Sequence, residues 1–458
     1  MESLCILVLA AGKGTRFKSN LIKVLHPLMG KSMLGWVLES VSGLDPEKIG
    51  IVVGFQKQDV KKEIDLPKVE FIHQKKQLGT AHAVRSAENF IKTHSDKDIL
   101  IMNGDLPLIR TETLKPLVEK HRKEKNELTF MSAEMDNPTG FGRLVYGEKG
   151  KITIVEEKEA TEKEKKIKEA NVGIYVFNAK ALLKVLPKIS NKNKKGEYYL
   201  TDTVEILSGE GGQVRVYRTE KVGEVVGVND RFEMALASKE LCLRKIKTLA
   251  AEGVTFYDPD STWIDAEVKI GHDTVIYPSV VIEGGTEIGK ECVIHPSVHI
   301  VNSQIRDGVK ILNSTLIEDS LIEDQVKVGP LAHLRPETTL KKGSKIGNFV
   351  EMKKTVFGEG SKAGHLTYLG DSIVGKEVNI GAGTITCNYD GKKKHKTIIE
   401  DGVFIGSGVE LVAPVKVGKN AYIGAGSTIT KDVSPYSLAV ERSSQKQRKD
   451  WVKNRRKK

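Results

Sequence analysis

Groups able to handle phosphate are spaced along the first half of the chain. The run Leu9-Ala10-Ala11-Gly12-Lys13-Gly14-Thr15-Arg16 follows an apolar stretch, and Lys23 comes a few residues later. Glycines let backbone N–H groups approach phosphate oxygens, while Arg16 and Lys23 add mobile positive charge. Asp105, in Asn103-Gly104-Asp105-Leu106-Pro107, is a candidate ligand for Mg²⁺, which takes one or two protein oxygens together with substrate phosphates. Asn229, in Gly227-Val228-Asn229-Asp230, could supply a second oxygen. Each also has an ordinary reading: Asp105 as a turn cap, Asn229 as the N-cap of the helix that follows, Thr80 as the cap of another.

A second group lies in the other half. His365 stands in Gly364-His365-Leu366-Thr367-Tyr368-Leu369-Gly370, and imidazole is the side chain that most readily exchanges a proton near neutral pH. It is the candidate general base, with Glu351 a possible partner to orient the ring. Leu334-Arg335-Pro336, Asn348 to Lys354 and Asn379 to Thr384 are similarly rich in polar groups within an otherwise repetitive stretch.

That stretch positions the second group. Aliphatic residues recur every sixth position at Ile264, Ile270, Ile276, Ile282, Ile288, Ile294 and Ile300, and again at Ile399, Ile405, Leu411, Val417, Ile423 and Ile429, often followed by glycine. Six is neither a helical nor a strand-alternation period. It predicts a parallel β-helix in which each hexapeptide forms one flat side of a coil and stacked aliphatics fill a narrow core. Such a core has little room for Arg335 or His365, so both should point outward. The polar segment Thr386 to Lys396 should project as a loop.

The first group needs a different scaffold. Continuous apolar runs at Cys5–Leu9, Ile49–Val53 and Ile99–Met102 predict parallel strands covered on both faces, with helical patterns over Met33 to Val41 and Ala81 to Phe90 between them. Asp105 would then sit at the carboxyl edge of the sheet, where open α/β folds bind ligands. Leu236, Leu243, Ile246 and Leu249 predict one apolar helical stripe joining the two halves.

At 458 residues, two or three domains are expected. The net charge of +12 favours anionic ligands. Cys5, Cys242, Cys292 and Cys387 are scattered without a CxxC pair, against a zinc site or a disulfide framework. The run Leu4 to Ala11 is too short for a membrane span and lacks the basic flank of a signal peptide, so a cytoplasmic protein with no integral membrane segment is expected. The basic tail from Lys446 to Lys458 reads as a solvated segment, and with Trp451 alone as an aromatic platform no nucleic-acid partner is expected.

LAAGxGTR followed by KVLH resembles the signature of sugar-1-phosphate nucleotidyltransferases. Gln74, Gln77-Leu78-Gly79-Thr80-Ala81-His82, Asn137 to Arg143, Ile154 to Lys158, Glu169 to Gly173 and Gly196 to Asp202 follow in order. With the rod, the whole chain resembles the bifunctional N-acetylglucosamine-1-phosphate uridylyltransferase and glucosamine-1-phosphate acetyltransferase family of bacterial cell-envelope synthesis, which supplies peptidoglycan and lipopolysaccharide precursors.

The resemblance implies a Rossmann-like, GT-A type α/β nucleotidyltransferase domain over 1–229, a linker helix over 230–252, a left-handed β-helix acetyltransferase domain over 253–440 and a basic tail over 441–458. It implies a homotrimer with UTP, glucosamine 1-phosphate, N-acetylglucosamine 1-phosphate and acetyl-CoA as substrates. Leu9, Ala10, Ala11 and Gly12 would line the nucleotide, with Arg16 and Lys23 on its phosphates. Gln74, Gly79 and Thr80 would read the uracil. Asn103 and Gly104 would line the same pocket, Gly140, Glu156, Asn171 and Asn229 would hold the sugar side, and Asp105 and Asn229 would bind Mg²⁺. In the rod, His365 would take a proton from the sugar amine, Arg335, Lys353, Tyr368 and Asn379 would bind the sugar phosphate, and Ala382, Asn388, Tyr389, Ser407, Ala425 and Arg442 would face acetyl-CoA. The chain departs from the family pattern at Ile22, where proline is common, and at Asn103, where an aromatic residue is common.

Two other readings predict different chemistry. A nucleotidyltransferase whose rod serves assembly alone would lack the constellation of His365, Tyr368, Asn379 and Asn388. A scaffold binding RNA through its basic tail would show salt-dependent affinity lost with that tail.

Overall fold

The computed structural model describes residues 3–455 except Lys13, Phe55 and Gln56. Lys13 of the glycine-rich turn and Arg456–Lys458 of the basic tail therefore lie outside the described residues. The chain divides into two compact units, Met1–Leu241 and Cys242–Lys458.

The first unit is built on a mixed sheet. Its strands are β1 (Leu4–Ala10), β2 (Lys48–Val53), β3 (Val69–His73), β4 (Asp98–Asn103), β5 (Leu128–Glu134), β6 (Gly142–Tyr146), β7 (Ile152–Val155), β8 (Glu169–Asn178) and β9 (Val214–Thr219). They lie in the order β9-β5-β8-β4-β1-β2-β3, with β6 beside both β8 and β7. β1 pairs in parallel with β2 and β4, while β8 runs antiparallel to β4 and β5. Both faces of β1 are covered: Ile6 and Val8 pack with Leu34, Val37 and Leu117, and Cys5 and Leu7 with Val84, Phe90 and Leu182. This explains why its sequence is continuously apolar rather than alternating.

The helical pattern over Ala81 to Phe90 is two short helices, Thr80–Ser86 and Glu88–Thr93, broken at Ala87. The long helix runs Arg231–Ala251, so the division between the units falls inside it. Its apolar stripe is the predicted one only at Ile246 and Leu249, with Leu243 half-buried. Leu236 is exposed, and Ala237, Ser238, Leu241, Cys242, Ile246 and Leu249 are the buried positions. A stripe traced through the largest side chains misses small residues that face inward.

The second unit is a left-handed parallel β-helix whose short strands stack in parallel register from Thr255 to Ala439. Every predicted beat residue is buried. One side runs through Ile270, Ile288, Ile305, Ile322, Leu340, Phe357, Val374, Ile399 and Val417. The coil is thus continuous between Ile300 and Ile399, where the six-residue beat is irregular because some corners drop a residue. The glycines after the beat allow close stacking: a Cβ on Gly347 or Gly381 would collide with the backbone of Gly364 or Gly406 in the next coil.

Candidate functional sites

In the first unit, β1 and β4 run side by side with Leu9 opposite Asn103, and Gly104 donates its N–H to the Leu9 carbonyl at 2.9 Å. Both chains leave the sheet at this edge, which puts the glycine-rich turn and Asp105 together. Gly14 adopts φ +57°, and a side chain there would press on Lys23. Ile22 has φ −59°, the value a proline ring would impose, so the departure from the family pattern leaves the backbone entering Lys23 unaltered.

Four predicted residues converge here. Lys23 Nζ donates to Asp105 Oδ2 at 2.6 Å and to Asn229 Oδ1 at 3.4 Å, and Arg16 Nη2 donates to Asn229 Oδ1 at 3.1 Å. The Asp105 carbonyl accepts from Val228 N at 2.9 Å, which ties the two oxygen-bearing segments together. Neither oxygen acts as the cap that its sequence position allowed. The following helix is capped by Asp230, whose Oδ1 accepts from Phe232 N and Glu233 N, both at 2.9 Å. One ammonium already shares both oxygens, so their spacing suits a single cation between them.

Gln74 is buried and donates to Gly79 O at 3.4 Å, with His82 Nδ1 3.0 Å away. Thr80 is no helix cap either: its Oγ1 accepts from Leu200 N at 3.0 Å. Gln77, absent from the predicted set, reaches back to the Ala11 carbonyl and fastens this segment to the first turn.

Glu156, Asn171 and Gly140 form a neighbouring group. Thr201 Oγ1 donates to Glu156 Oε1 at 2.9 Å, and burial pushes the Glu156 carboxyl above the usual range. Asn171 Nδ2 donates to the Tyr175 hydroxyl at 2.7 Å, and Gly173 faces Asn103, which a side chain on that glycine would crowd. Among the described residues no hydrogen bond joins this group directly to Asp105.

In the rod, His365 is exposed, as expected for a side chain its core cannot hold. Its Nδ1 donates to Asn348 Oδ1 at 2.7 Å. The ring partner is therefore Asn348 and not Glu351, which instead receives Arg335 Nη1 at 2.8 Å. The reason is register: Asn348 lies opposite His365, while Glu351 lies opposite Tyr368 on the next side of the coil. Because an amide oxygen can only accept, Nδ1 carries the proton and Nε2 keeps a free lone pair.

Tyr368 and Asn388 meet over Gly370, where a Cβ would lie 2.5 Å from both the tyrosine hydroxyl and the amide nitrogen. Asn388 is buried and donates to Asp371 Oδ2 at 2.6 Å, and Thr386 is fully inside the rod. The projecting loop therefore begins later than predicted, because Thr386 still occupies a beat position within the strand Ile385–Cys387. The loop is held by Asp390, which accepts from Lys392 N, Lys393 N and His395 Nε2 at 2.7 Å each. It carries Lys394, a residue missed in the sequence, towards Lys353: the charges of Lys394 and Arg335 push the Lys353 ammonium below the usual lysine range. Three cations gathered in this way suit a phosphate.

Asn379 stands in register between Lys362 and Phe404. Ala382, Ser407 and Ala425 each follow a glycine in successive coils and stack in one column, and Arg442 Nη1 caps it through the Ala425 carbonyl at 2.7 Å. Tyr389 projects from the loop and is exposed.

Nucleotidyl transferase family signatures match residues 6–263, and bacterial transferase hexapeptide repeats match 267–302 and 396–431. Bifunctional protein GlmU of Thermotoga petrophila is 51% identical over 452 residues, covering 98% of this chain and 99% of the relative. The chain belongs to the bifunctional GlmU family. The proteins of that name from Caldanaerobacter subterraneus and Acetivibrio thermocellus are 48% and 46% identical, again over nearly the full length of both chains. As a member of the GlmU family it is a bifunctional transferase with uridylyltransferase and acetyltransferase activities, and the rod is not for assembly alone. The coils between the two hexapeptide matches are those that carry Arg335, Asn348, His365 and Tyr368, where polar side chains replace plain filler. Among the described residues no helix is long and apolar enough to cross a membrane.

Proposed function

We propose that the rod acetylates glucosamine 1-phosphate with acetyl-CoA and that the α/β unit then transfers UMP from UTP to the product. The convergence of Arg16, Lys23, Asp105 and Asn229 at the carboxyl edge of β1 and β4 carries the second half of this reading. There the sugar phosphate attacks the α-phosphorus in line and pyrophosphate leaves, while Arg16 and Lys23 neutralise charge on the phosphate oxygens. Asp105 and Asn229 would hold Mg²⁺, which when bound withdraws electron density from the phosphates it touches. Gln74, Gly79 and Thr80 read the uracil, and Gly140, Glu156 and Asn171 face the sugar.

In the rod, Nε2 of His365 takes a proton from the sugar amine as its nitrogen attacks the thioester carbonyl, and the CoA thiolate departs. Asn348 keeps the ring in the tautomer this requires. Arg335, Lys353 and Lys394 bind the sugar phosphate with Tyr368 and Asn379, and the column Ala382, Ser407 and Ala425, with Asn388, Tyr389 and Arg442, takes the CoA side.

Trimers place rods side by side. Leu331, Phe349 and Leu366 support this assembly: they stack at one corner of consecutive coils, 47%, 55% and 62% exposed, and form an apolar edge suited to a second copy. The four cysteines are free thiols, in keeping with a reducing cytoplasm where UTP and acetyl-CoA are found. Lys23→Ala tests the uridylyl site: pyrophosphate release should collapse while CoA release persists, and a normal rate of pyrophosphate release would overturn the assignment.

A further inference from the structure

Arg143 is 2% exposed and heads the largest fully buried side chains, yet neither reaction uses it. It lies on β6, the strand between β7 and β8, directly opposite Val155 on one side and Ala170 on the other. Those two residues immediately precede Glu156 and Asn171. Gly140 lies three residues before Arg143 on the chain leading into β6. A single buried guanidinium thus sits at the junction from which all three sugar-side residues extend.

Its bonds run to that junction. Nη2 pairs with Glu157 Oε2 at 2.7 Å, and Nη1 donates to the Phe141 carbonyl. The same Glu157 oxygen accepts the Gly140 N–H at 3.3 Å, and the turn is closed by Phe141 N donating to the Pro138 carbonyl at 3.1 Å. Arg143 therefore grips the turn twice, directly through Phe141 and indirectly through the carboxylate that holds Gly140. A planar fork with fixed donor geometry can satisfy both, and a lysine could not. The guanidinium end of this pair is buried and costly to desolvate while the Glu157 carboxylate is partly exposed, so the pair is weak evidence for stability and points to a requirement for position.

We propose that Arg143 and Glu157 are positioning residues for uridylyl transfer, setting the Gly140 turn and the adjoining Glu156 strand end as one wall of the sugar site. The inference rests on the assignment of Gly140, Glu156 and Asn171 to the sugar.

The test uses the full chain and compares KM for N-acetylglucosamine 1-phosphate with KM for UTP in Glu157→Gln, Arg143→Lys and Glu156→Gln. Glu157→Gln keeps the size and polarity of the side chain, so it stays folded where an uncharged Arg143 replacement can fail. The acetyl-transfer rate of the same preparation reports intact protein. Glu157→Gln and Arg143→Lys should each raise KM for the sugar phosphate about fivefold, the loss of one hydrogen bond, with KM for UTP unchanged. A merely structural role would lower the melting temperature and leave both KM values alone, which overturns the proposal. If Glu156→Gln raises KM for the sugar phosphate and Glu157→Gln does not, the positioning role fails while the site stands. If neither changes it, the sugar-site assignment itself falls, and the positioning role with it.

Discussion

Replacing Asn348 with alanine isolates the hydrogen bond that orients the His365 imidazole, the proposed general base. In the folded chain His365 is exposed, and the contact at 2.7 Å from its Nδ1 to Asn348 Oδ1 selects the tautomer with Nε2 free. A hydrogen bond of this kind contributes about 1 kcal/mol net, and about 1.4 kcal/mol is tenfold in rate, so kcat for acetyl transfer should fall about fivefold. Removing the base itself, in His365→Ala, should cost about 10²- to 10⁴-fold. The assay follows the CoA thiol released at saturating glucosamine 1-phosphate and acetyl-CoA, with KM for each substrate measured separately. Because Asn348 acts through the ring, both KM values should hold. Asn348→Asp, which keeps an acceptor in the same place, should retain most of the rate. An unchanged kcat in Asn348→Ala would refute the orienting role, and a loss as deep as that of His365→Ala would mean that Asn348 touches the substrate instead.

Other predictions follow from the same geometry. Asp105→Ala should abolish uridylyl transfer at every Mg²⁺ concentration, and chelating divalent cations from the unaltered protein should do the same; in both cases CoA release should continue, as separate product assays will show. Lys394→Ala removes one of three cations around the proposed phosphate position and should raise KM for glucosamine 1-phosphate about tenfold, with KM for acetyl-CoA unaffected in steady-state kinetics. Asp202 is pushed up to about 6 by burial and by the charges of Glu156 and Glu205, so the folded state holds its proton more tightly than the unfolded chain. Its contribution to stability is therefore full below pH ~4 and is lost as pH rises towards ~6. Asp202→Asn should raise the melting temperature at pH 7.5 and have no such effect at pH 4, as a thermal melt at the two pH values will reveal.

The sequence carried the rod and the phosphate site further than it carried the contacts within them. A beat of one aliphatic per six residues has one structural solution, and every residue of it is buried. The turn from Leu9 to Arg16, Lys23 and Asp105 was readable because each follows or leaves an apolar strand, and strands of a parallel sheet deliver their ends to one edge. Register was harder. Glu351 looked like the partner of His365 by charge, but the ring partner is one coil away, 17 residues earlier, and coils with dropped corner residues hide that spacing. Lys394 lay within a run of three lysines, and only the fold of the loop about Asp390 decides which one brings its charge to bear on Lys353. Arg143 closed the family segment Asn137 to Arg143 but carried no role there, since an arginine in a strand reads as surface until its two neighbouring strands are known.

The claim on which everything else depends is that one chain holds two separate sites, each with its own chemistry. It is tested by measuring pyrophosphate release and CoA release side by side in the full-length Asp105→Ala and His365→Ala proteins. Each substitution should silence one product and spare the other, in opposite pairs. Loss of both products from either folded variant would contradict the account.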